Sequence, residues 1–190
     1  GIGSGKSSVC QIFAQLGVPV YEADREAKAL YNEDASLREP LMALAGDTVY
    51  DKNGIFDAAV LRERLFADPE LRDKINTLVH PRVFARWDAW CAERQAEGHA
   101  YVIKEAAILF ESRADKSVDT VVGVLANRAI RIERIAQRDG LDQSSIEARM
   151  ASQWPQEKWM PLCQHLIDNN GEQSLVEQVL PLHQLFQHAR

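Results

Sequence analysis

Residues 1–8 read GIGSGKSS. The apolar residues that follow recur every three or four positions, as on one face of a helix: Val9, Ile12, Phe13 and Leu16. The Gly-Lys-Ser of residues 5–7 fits the last three positions of the Walker A pattern, G-x-x-x-x-G-K-[ST]. A chain of phosphates needs converging backbone amides and the N-terminus of a helix. The segment therefore predicts a loop that binds a nucleoside triphosphate.

Each residue type in this loop has a role in that prediction. Glycines let the backbone approach the phosphates closely, the Lys6 ammonium can reach the β- and γ-phosphates, and the Ser7 hydroxyl can ligate Mg²⁺. A glycine-rich turn beside a surface lysine is the alternative. The predicted ATP-binding residues in this segment are Gly1, Gly3, Ser4, Gly5, Lys6, Ser7 and Ser8.

A loop of this kind normally follows the central strand of its sheet. We therefore expect the natural chain to carry roughly eight to ten residues before Gly1, enough for one strand.

The rest of the chain predicts an α/β fold. Strands alternate with helices, which indicates a parallel sheet with helices on both faces. The segment 31–98 shows helical patterns and no useful strand pattern, so it predicts a helical insertion. The predicted strands cover residues 18–21, 101–103, 118–125 and 165–167.

Composition narrows the classes of function. The net charge of −6 argues against a nucleic-acid partner, which would normally meet a basic face. The three cysteines are widely spaced and form no CxxC pair, which is typical of reduced thiols in a cytoplasmic protein. No apolar run approaches the length of a membrane span.

Further short motifs follow the loop in a specific order. They are residues 20–24 (VYEAD), 53–69 (NGIFDAAVLRERLFADP), 80–81 (HP), 105–111 (EAAILFE), 138–140 (RDG) and 167–171 (IDNNG). With the phosphate loop, this series resembles the dephospho-CoA kinase family over nearly the whole chain. The sequence departs from the family pattern in two motifs: Glu22 replaces an aspartate, and residues 105–108 (EAAI) replace D-x-P-L.

The resemblance implies an enzyme with a P-loop kinase fold. It implies phosphorylation of the ribose 3′-hydroxyl of dephospho-CoA by ATP with Mg²⁺, a core domain of residues 1–30 and 99–190, a helical acceptor domain of residues 31–98, and a helical lid of about 127–153. The expected partners are then the small-molecule substrates ATP and dephospho-CoA, and we expect no nucleic-acid or membrane partner. We expect a monomer or a weak homo-oligomer.

The resemblance also suggests residue roles. Asp24 would bind the acceptor and act as catalytic base, because one carboxylate must orient the attacking hydroxyl and accept its proton. An aspartate at this point of the sequence is equally typical of a helix N-cap. Glu105 would hold a Mg²⁺-bound water, although a carboxylate that caps a strand end is an even alternative.

A basic stripe at 128, 131, 134 and 138 has helical spacing. The family resemblance assigns lid arginines here: Arg134 to ATP binding, Arg138 to catalysis, and Arg149 to substrate binding. A solvated basic face is the other interpretation.

The remaining expectations concern a loop and a His-Pro pair. Asn169 and Gly171 would lie against ATP through backbone contacts, although their residue types also suit an ordinary turn. His80 and Pro81 would lie near the acceptor pocket, although His-Pro is typical of a helix break.

Two other functions remain open from the sequence. A P-loop kinase could use another small acceptor, such as a nucleoside monophosphate. A nucleotide-binding switch is the third possibility, but the N-K-x-D motif that recognises guanine is absent from the sequence.

Overall fold

The coordinates are a computed structural model that describes residues 1–189. Its helices are α1 (Lys6–Gln15), α2 (Ala23–Glu33), α3 (Ala35–Ala45), α4 (Ala58–Ala67), α5 (Pro69–Ala96), α6 (Arg128–Asp139), α7 (Gln143–Ala151), α8 (Gln156–Trp159) and α9 (Leu175–His188). Its strands are β1 (Val20–Glu22), β2 (Ile103–Glu105), β3 (Val122–Leu125) and β4 (His165–Asp168). The predicted α/β class, with parallel strands flanked by helices, is confirmed.

The chain divides into two compact units. The first unit consists of Gly1–Glu22 and the described chain from Gly98 onward, and the second consists of Ala23–Glu97. The break lies before α2, whereas the sequence placed it at residue 30. Helix α2 belongs to the second unit because Arg86 on α5 pairs with two of its carboxylates, Glu26 at 2.8 Å and Glu33 at 2.7 Å.

The strands of the first unit form two parallel pairs, β1 with β2 and β3 with β4. Helices α1 and α9 pack against them, since their apolar stripes need a surface to bury. Phe13 and Val179, one from each helix, are almost fully buried in this core. The other buried members of the cluster are Val9, Val18, Val124 and Ile167.

Parallel pairing aligns the ends of the strands. Glu22 is in register with Glu105, and Leu125 is in register with Asp168. The loop after β4 is tied to β3, because the Asn169 amide donates to the Leu125 carbonyl at 2.9 Å. Polar side chains that follow these strands therefore collect at the carboxyl edge of each pair, where ligands bind in open α/β folds.

The second unit is a helical cluster with aspartate caps. Asp34, Asp57 and Asp68 each accept a hydrogen bond from a backbone amide in the first turn of α3, α4 and α5, respectively. Such caps satisfy donors that a helix leaves unpaired at its start. The buried core of this unit comprises Leu30, Leu37, Leu41, Ala45, Val49, Tyr50, Leu61, Ile75 and Val79.

Helix α5 corrects the expectation of a break at His80-Pro81, because it continues through Pro81. The proline removes one backbone donor, but Ile75 and Val79 before it and Trp87 after it are all buried. Burial of that apolar face outweighs the local penalty. The Arg82 guanidinium also donates to the Leu78 carbonyl at 2.8 Å.

Strand boundaries differ from prediction in the segment before β3. The sequence predicted a strand over 118–125, but the pairing begins at Val122 and a short 3₁₀ helix covers Ala114–Ser117. A β-branched stretch signals a strand without showing where its partner begins. Across residues 1–189, no helix combines the length and apolar character needed to cross a membrane.

The cap of α4 gives a test of this fold. Asp57 accepts from Ala59 N at 2.8 Å and from Val60 N at 3.2 Å. We expect Asp57→Ala to reduce the free energy of unfolding by about 1 kcal/mol, since it leaves both donors without that acceptor. Asp57→Asn keeps a capping oxygen, so its free energy of unfolding should stay within about 0.3 kcal/mol of that of the unsubstituted protein. Urea titration followed by circular dichroism measures both, and equal losses would contradict the cap.

Candidate active site

The phosphate loop adopts a backbone shape that needs its glycines. Gly3 and Gly5 have φ angles of 76° and 91°, in the left-handed region that side chains disfavour. A Cβ at Gly3 would lie 2.7 Å from the Arg131 carbonyl oxygen, and one at Gly5 would collide with the side-chain amide of Asn169. The loop is therefore packed closely against α6 and the loop after β4.

The start of α1 leaves donors for a ligand. Gly5 is its N-cap and, having no side chain, cannot cap it. The first-turn amides therefore have no side-chain cap, and the positive end of a helix suits an anion. Lys6 Nζ donates to the Gly1 carbonyl at 3.0 Å, which holds the ammonium over the loop. Ser8 is exposed in the same turn.

Ser7 and Glu105, the two predicted metal residues, lie together. The Ser7 hydroxyl donates to Glu105 Oε1 at 3.0 Å, and Glu105 closes β2. Both oxygens are hard ligands of the kind that Mg²⁺ takes, with phosphate and water completing its coordination. Within residues 1–189, no group of three or more His, Cys, Asp or Glu side chains that could hold a metal ion occurs.

Asn169 joins the phosphate loop to α6 through its side chain. Its Nδ2 donates to the Ser4 carbonyl at 2.8 Å. Arg134 donates from one Nη to the Asn169 carbonyl at 3.0 Å and to its Oδ1 at 3.4 Å. The expectation that this residue acts only through its backbone is therefore too narrow. Gly171, two residues on, is exposed with a φ of 95°.

The other side of the loop meets Arg131 and Gln153. Arg131 Nε donates to the Ile2 carbonyl at 2.9 Å, and the Ile2 amide donates to Gln153 Oε1 at 2.7 Å. A single residue of the loop is thus held at both its donor and its acceptor. Gln153 follows α7, so both predicted lid segments contact the loop.

Two predicted lid arginines meet at Asp139 instead. Arg138 donates from Nε and Nη2 to its carboxylate at 2.7 and 3.0 Å, and Arg149 donates at 3.2 Å. Their side chains are 61% and 53% exposed. In the described part of the chain, neither forms a hydrogen bond or ion pair with the phosphate loop.

Burial and charge set the pKa values around the loop. Burial lowers the pKa of the Arg131 guanidinium, and the nearby Arg128 adds to this shift against the opposing effect of Glu157. Burial, together with the Glu105 carboxylate, raises the pKa of the Cys10 thiol to about 12. The thiol thus stays protonated at neutral pH and leaves Lys6 and Arg131 as positive groups near the loop.

Asp24 belongs to the second unit, in the first turn of α2. It is exposed, and within the described residues no hydrogen bond from its carboxylate caps the helix. The N-cap alternative therefore has no hydrogen bond to support it. An exposed, unpaired carboxylate is available to a substrate hydroxyl.

His80 and Pro81 are both exposed on α5, also in the second unit. Pro81 borders an open groove of about 600 Å³ between α3 and α5. The other residues along this groove are Leu44, Asp73, Lys74, Thr77, Leu78 and Arg82. The groove offers apolar side walls with charged groups at its rim.

Sequence reasoning missed three contacts in the first unit: Arg131, Gln153 and the side chain of Asn169. Helical spacing placed Arg131 and Arg134 on one stripe but could not show which of the stripe's arginines faces the loop. The hydrogen bond from Ile2 to Gln153 spans 151 residues, and no local pattern encodes a contact of that range.

Comparison with known proteins fits this site. A sequence model of the dephospho-CoA kinase family matches residues 1–174. The dephospho-CoA kinase of Chlorobaculum tepidum is 38% identical over 190 residues, which cover 94% of this chain and 89% of that protein. The enzyme of the same name from Chlorobium chlorochromatii is 38% identical over 195 residues, with coverage of 100% and 92%.

Solved structures agree with the fold. The crystal structure of TT1252 from Thermus thermophilus has a TM-score of 0.81 at 26% identity, covering 100% of this chain and 94% of that one. A dephospho-CoA kinase from Campylobacter jejuni has a TM-score of 0.71 at 23% identity, covering 96% and 92%, and is similar in fold. These likenesses confirm the predicted P-loop kinase fold, and the family match over most of the sequence confirms the resemblance: the chain belongs to the dephospho-CoA kinase family.

Proposed function

We propose that this protein transfers the γ-phosphoryl group of ATP to the ribose 3′-hydroxyl of dephospho-CoA, giving coenzyme A and ADP. This would be the final step of coenzyme A synthesis. The observation that carries the proposal is the glycine loop ahead of α1, with Lys6 above it and the Ser7–Glu105 pair beside it. Family membership supplies the acceptor.

ATP would be held by its phosphates in the loop of residues 1–8. The amides of the loop and of the first turn of α1 would bind the phosphate oxygens, and Lys6 would neutralise charge on the β- and γ-phosphates. Arg134 supports this role, because its Nη1 is buried without a protein partner in the described residues. An anion would satisfy that donor. Asn169 and Gly171 would border the rest of the nucleotide.

Mg²⁺ would be held by the Ser7 hydroxyl, with Glu105 directly or through a water. When bound there, the ion would supply positive charge that offsets the charge developing on the phosphates. Ser7 and Glu105 are already within hydrogen-bond distance of each other, so this pair needs little rearrangement.

Asp24 would accept the proton of the acceptor hydroxyl. As that oxygen forms a bond to the γ-phosphorus, the bond from phosphorus to the β–γ bridging oxygen breaks and ADP leaves. Two features support Asp24: its carboxylate is exposed without a partner in the described residues, and it follows Glu22, the register partner of Glu105, by two residues.

Residues on α5 and in the predicted lid would each contribute to acceptor binding. His80 and Pro81 would contribute beside the groove along α3 and α5. Arg149 would pair with acceptor phosphate, and Arg138 would stabilise the transferring group. Both arginines would have to exchange Asp139 for phosphate, an exchange that their exposure favours.

A cytoplasmic location, where ATP and reduced thiols occur together, completes the proposal. The monomeric or weakly oligomeric state remains a prediction. No observation favours a nucleoside monophosphate acceptor or a nucleotide switch.

Acceptor specificity is the direct test. We expect ADP release from Mg²⁺-ATP to rise at least about a hundredfold when dephospho-CoA is added, since a positioned hydroxyl replaces adventitious water. AMP at the same concentration should give the rate found without an acceptor. A coupled ADP assay measures all three reactions. Stimulation by AMP alone would favour the nucleoside monophosphate kinase, and no stimulation by either would favour the switch.

The role of Asp24 has its own test. We expect Asp24→Asn to lower kcat by roughly a hundredfold to ten-thousandfold, as loss of a general base does, while the Kd for ATP stays within about twofold. Asp88→Asn, at an exposed position on α5, is the matched control and should retain normal kcat. Near-normal turnover of Asp24→Asn would remove this residue from the mechanism.

Glu105 is tested through the metal. We expect Glu105→Gln to raise the Mg²⁺ concentration for half-maximal activity roughly tenfold, because a charged ligand or a water-orienting group is lost. Glu177→Gln, which removes an exposed carboxylate on α9, should leave that concentration unchanged. Activity measured against Mg²⁺ at fixed ATP gives both values, and overlapping curves would exclude Glu105 from the metal site.

A further inference from the structure

Two backbone carbonyls of the phosphate loop accept hydrogen bonds from side chains elsewhere in the first unit. The Ile2 carbonyl accepts from Arg131 Nε at 2.9 Å, and the Ser4 carbonyl accepts from Asn169 Nδ2 at 2.8 Å. Arg131 lies on α6 and Asn169 follows β4, so the two donors come from separate segments of the same unit.

These two bonds fix the direction of two amides. In a trans peptide, the N–H of one residue points opposite to the C=O of the residue before it. Holding the Ile2 carbonyl therefore turns the Gly3 amide away from Arg131, and holding the Ser4 carbonyl turns the Gly5 amide away from Asn169. In the described structure, neither glycine amide donates to a protein acceptor.

The geometry points to Arg131 and Asn169 as positioning residues for ATP: they hold the Ile2 and Ser4 carbonyls so that the Gly3 and Gly5 amides remain directed at the phosphates. This inference rests on the proposed binding of ATP and deepens it. Neither side chain has to touch the nucleotide phosphates in this role. It separates Arg131 from the arginines assigned to phosphate or acceptor binding.

Two features explain why the loop needs such ties. Glycines at positions 3 and 5 permit other backbone angles, so the peptides can rotate unless something holds them. Ser4 is only 1% exposed, so its carbonyl would lose water without gaining a partner if Asn169 were absent. A rotated peptide would present a carbonyl dipole to the phosphates, which repels them.

Arg134 connects the two ties to the same site. It bonds Asn169 at both the carbonyl and Oδ1, and its buried Nη1 has no partner in the described residues. Asn169 thus orients a guanidinium with an open donor as well as the loop. The half-buried Arg131 adds positive charge beside the loop.

The main experiment measures phosphate binding without the acceptor. Calorimetry with Mg²⁺-ATP and with inorganic tripolyphosphate should show that Arg131→Met and Asn169→Ala each raise the Kd for both ligands roughly threefold to tenfold, the effect of one lost hydrogen bond. The KM for ATP should rise by a similar factor, and the KM for dephospho-CoA should stay within about twofold. Thermal midpoints should shift by no more than about 4 °C.

Matched controls lie at the start of α6. Arg128→Met removes an exposed arginine one turn from Arg131, and Asn127→Ala removes an exposed asparagine that forms no cap bond. Both should bind ATP and tripolyphosphate as the unsubstituted protein does. If the controls weaken binding as much as Arg131→Met and Asn169→Ala, general loosening of α6 explains the effect and the inference is wrong.

A conservative variant separates the hydrogen bond from the charge. The Nε2 of glutamine is as many bonds from Cα as the Nε of arginine, so Arg131→Gln keeps a donor for Ile2 while removing the charge. We expect Arg131→Gln to restore ATP affinity to within about twofold. If it binds as weakly as Arg131→Met, the bond to Ile2 is not what positions the loop.

The outcomes remain distinct from those of the acceptor assay. Tripolyphosphate binding does not depend on which hydroxyl receives the phosphoryl group, so failure with dephospho-CoA would overturn the proposed function and leave this inference standing. Unchanged Kd values in both Arg131→Met and Asn169→Ala would overturn the inference alone. Should Asn169→Ala not fold, the comparison of Arg131→Met with Arg131→Gln decides.

Discussion

The site depends on peptide groups whose amides are directed at a ligand while their carbonyls are hydrogen-bonded to the protein. Each peptide has one donor and one acceptor on opposite sides, so a loop that offers its amides to an anion must satisfy its carbonyls elsewhere. Here Arg131 donates a hydrogen bond to the Ile2 carbonyl, and Asn169 donates one to the Ser4 carbonyl. The positive φ angles of Gly3 and Gly5 make the required turn possible. The glycines therefore allow the shape of the loop, and the long-range hydrogen bonds hold it.

Local charge overrides the charge of the whole chain at this place. The protein carries a net −6, yet a lysine, two arginines and the positive end of α1 lie around the loop, with Glu105 as the carboxylate bonded to Ser7. Burial lowers the pKa of Arg131, which reflects the cost of holding a cation in a partly dry position. A polyanion such as ATP offsets that cost.

The sequence predicted what is local and periodic. The motif of residues 1–8 and the helix that follows rest on residue type and helical spacing, whereas the hydrogen bond from Ser7 to Glu105 is a finding of the structure. Three features were beyond its reach: the helix that continues through Pro81, the start of β3 and the partners of Ile2. Each is decided by tertiary packing, which can outweigh a proline or a strand propensity. Roles of Asp24, Arg138 and Arg149 remain predictions.

Helices α6 and α7, which the sequence assigns to a lid, are joined in two different ways. Ile135 and Ile146 are almost fully buried, whereas the ion pairs Arg128–Glu147 and Arg149–Asp139 link α6 to α7 at the exposed surface. Dissolved salt screens exposed charges strongly and buried apolar contacts hardly at all. Raising the ionic strength should therefore weaken the two exposed ion pairs between α6 and α7 while the burial of Ile135 and Ile146 is little affected.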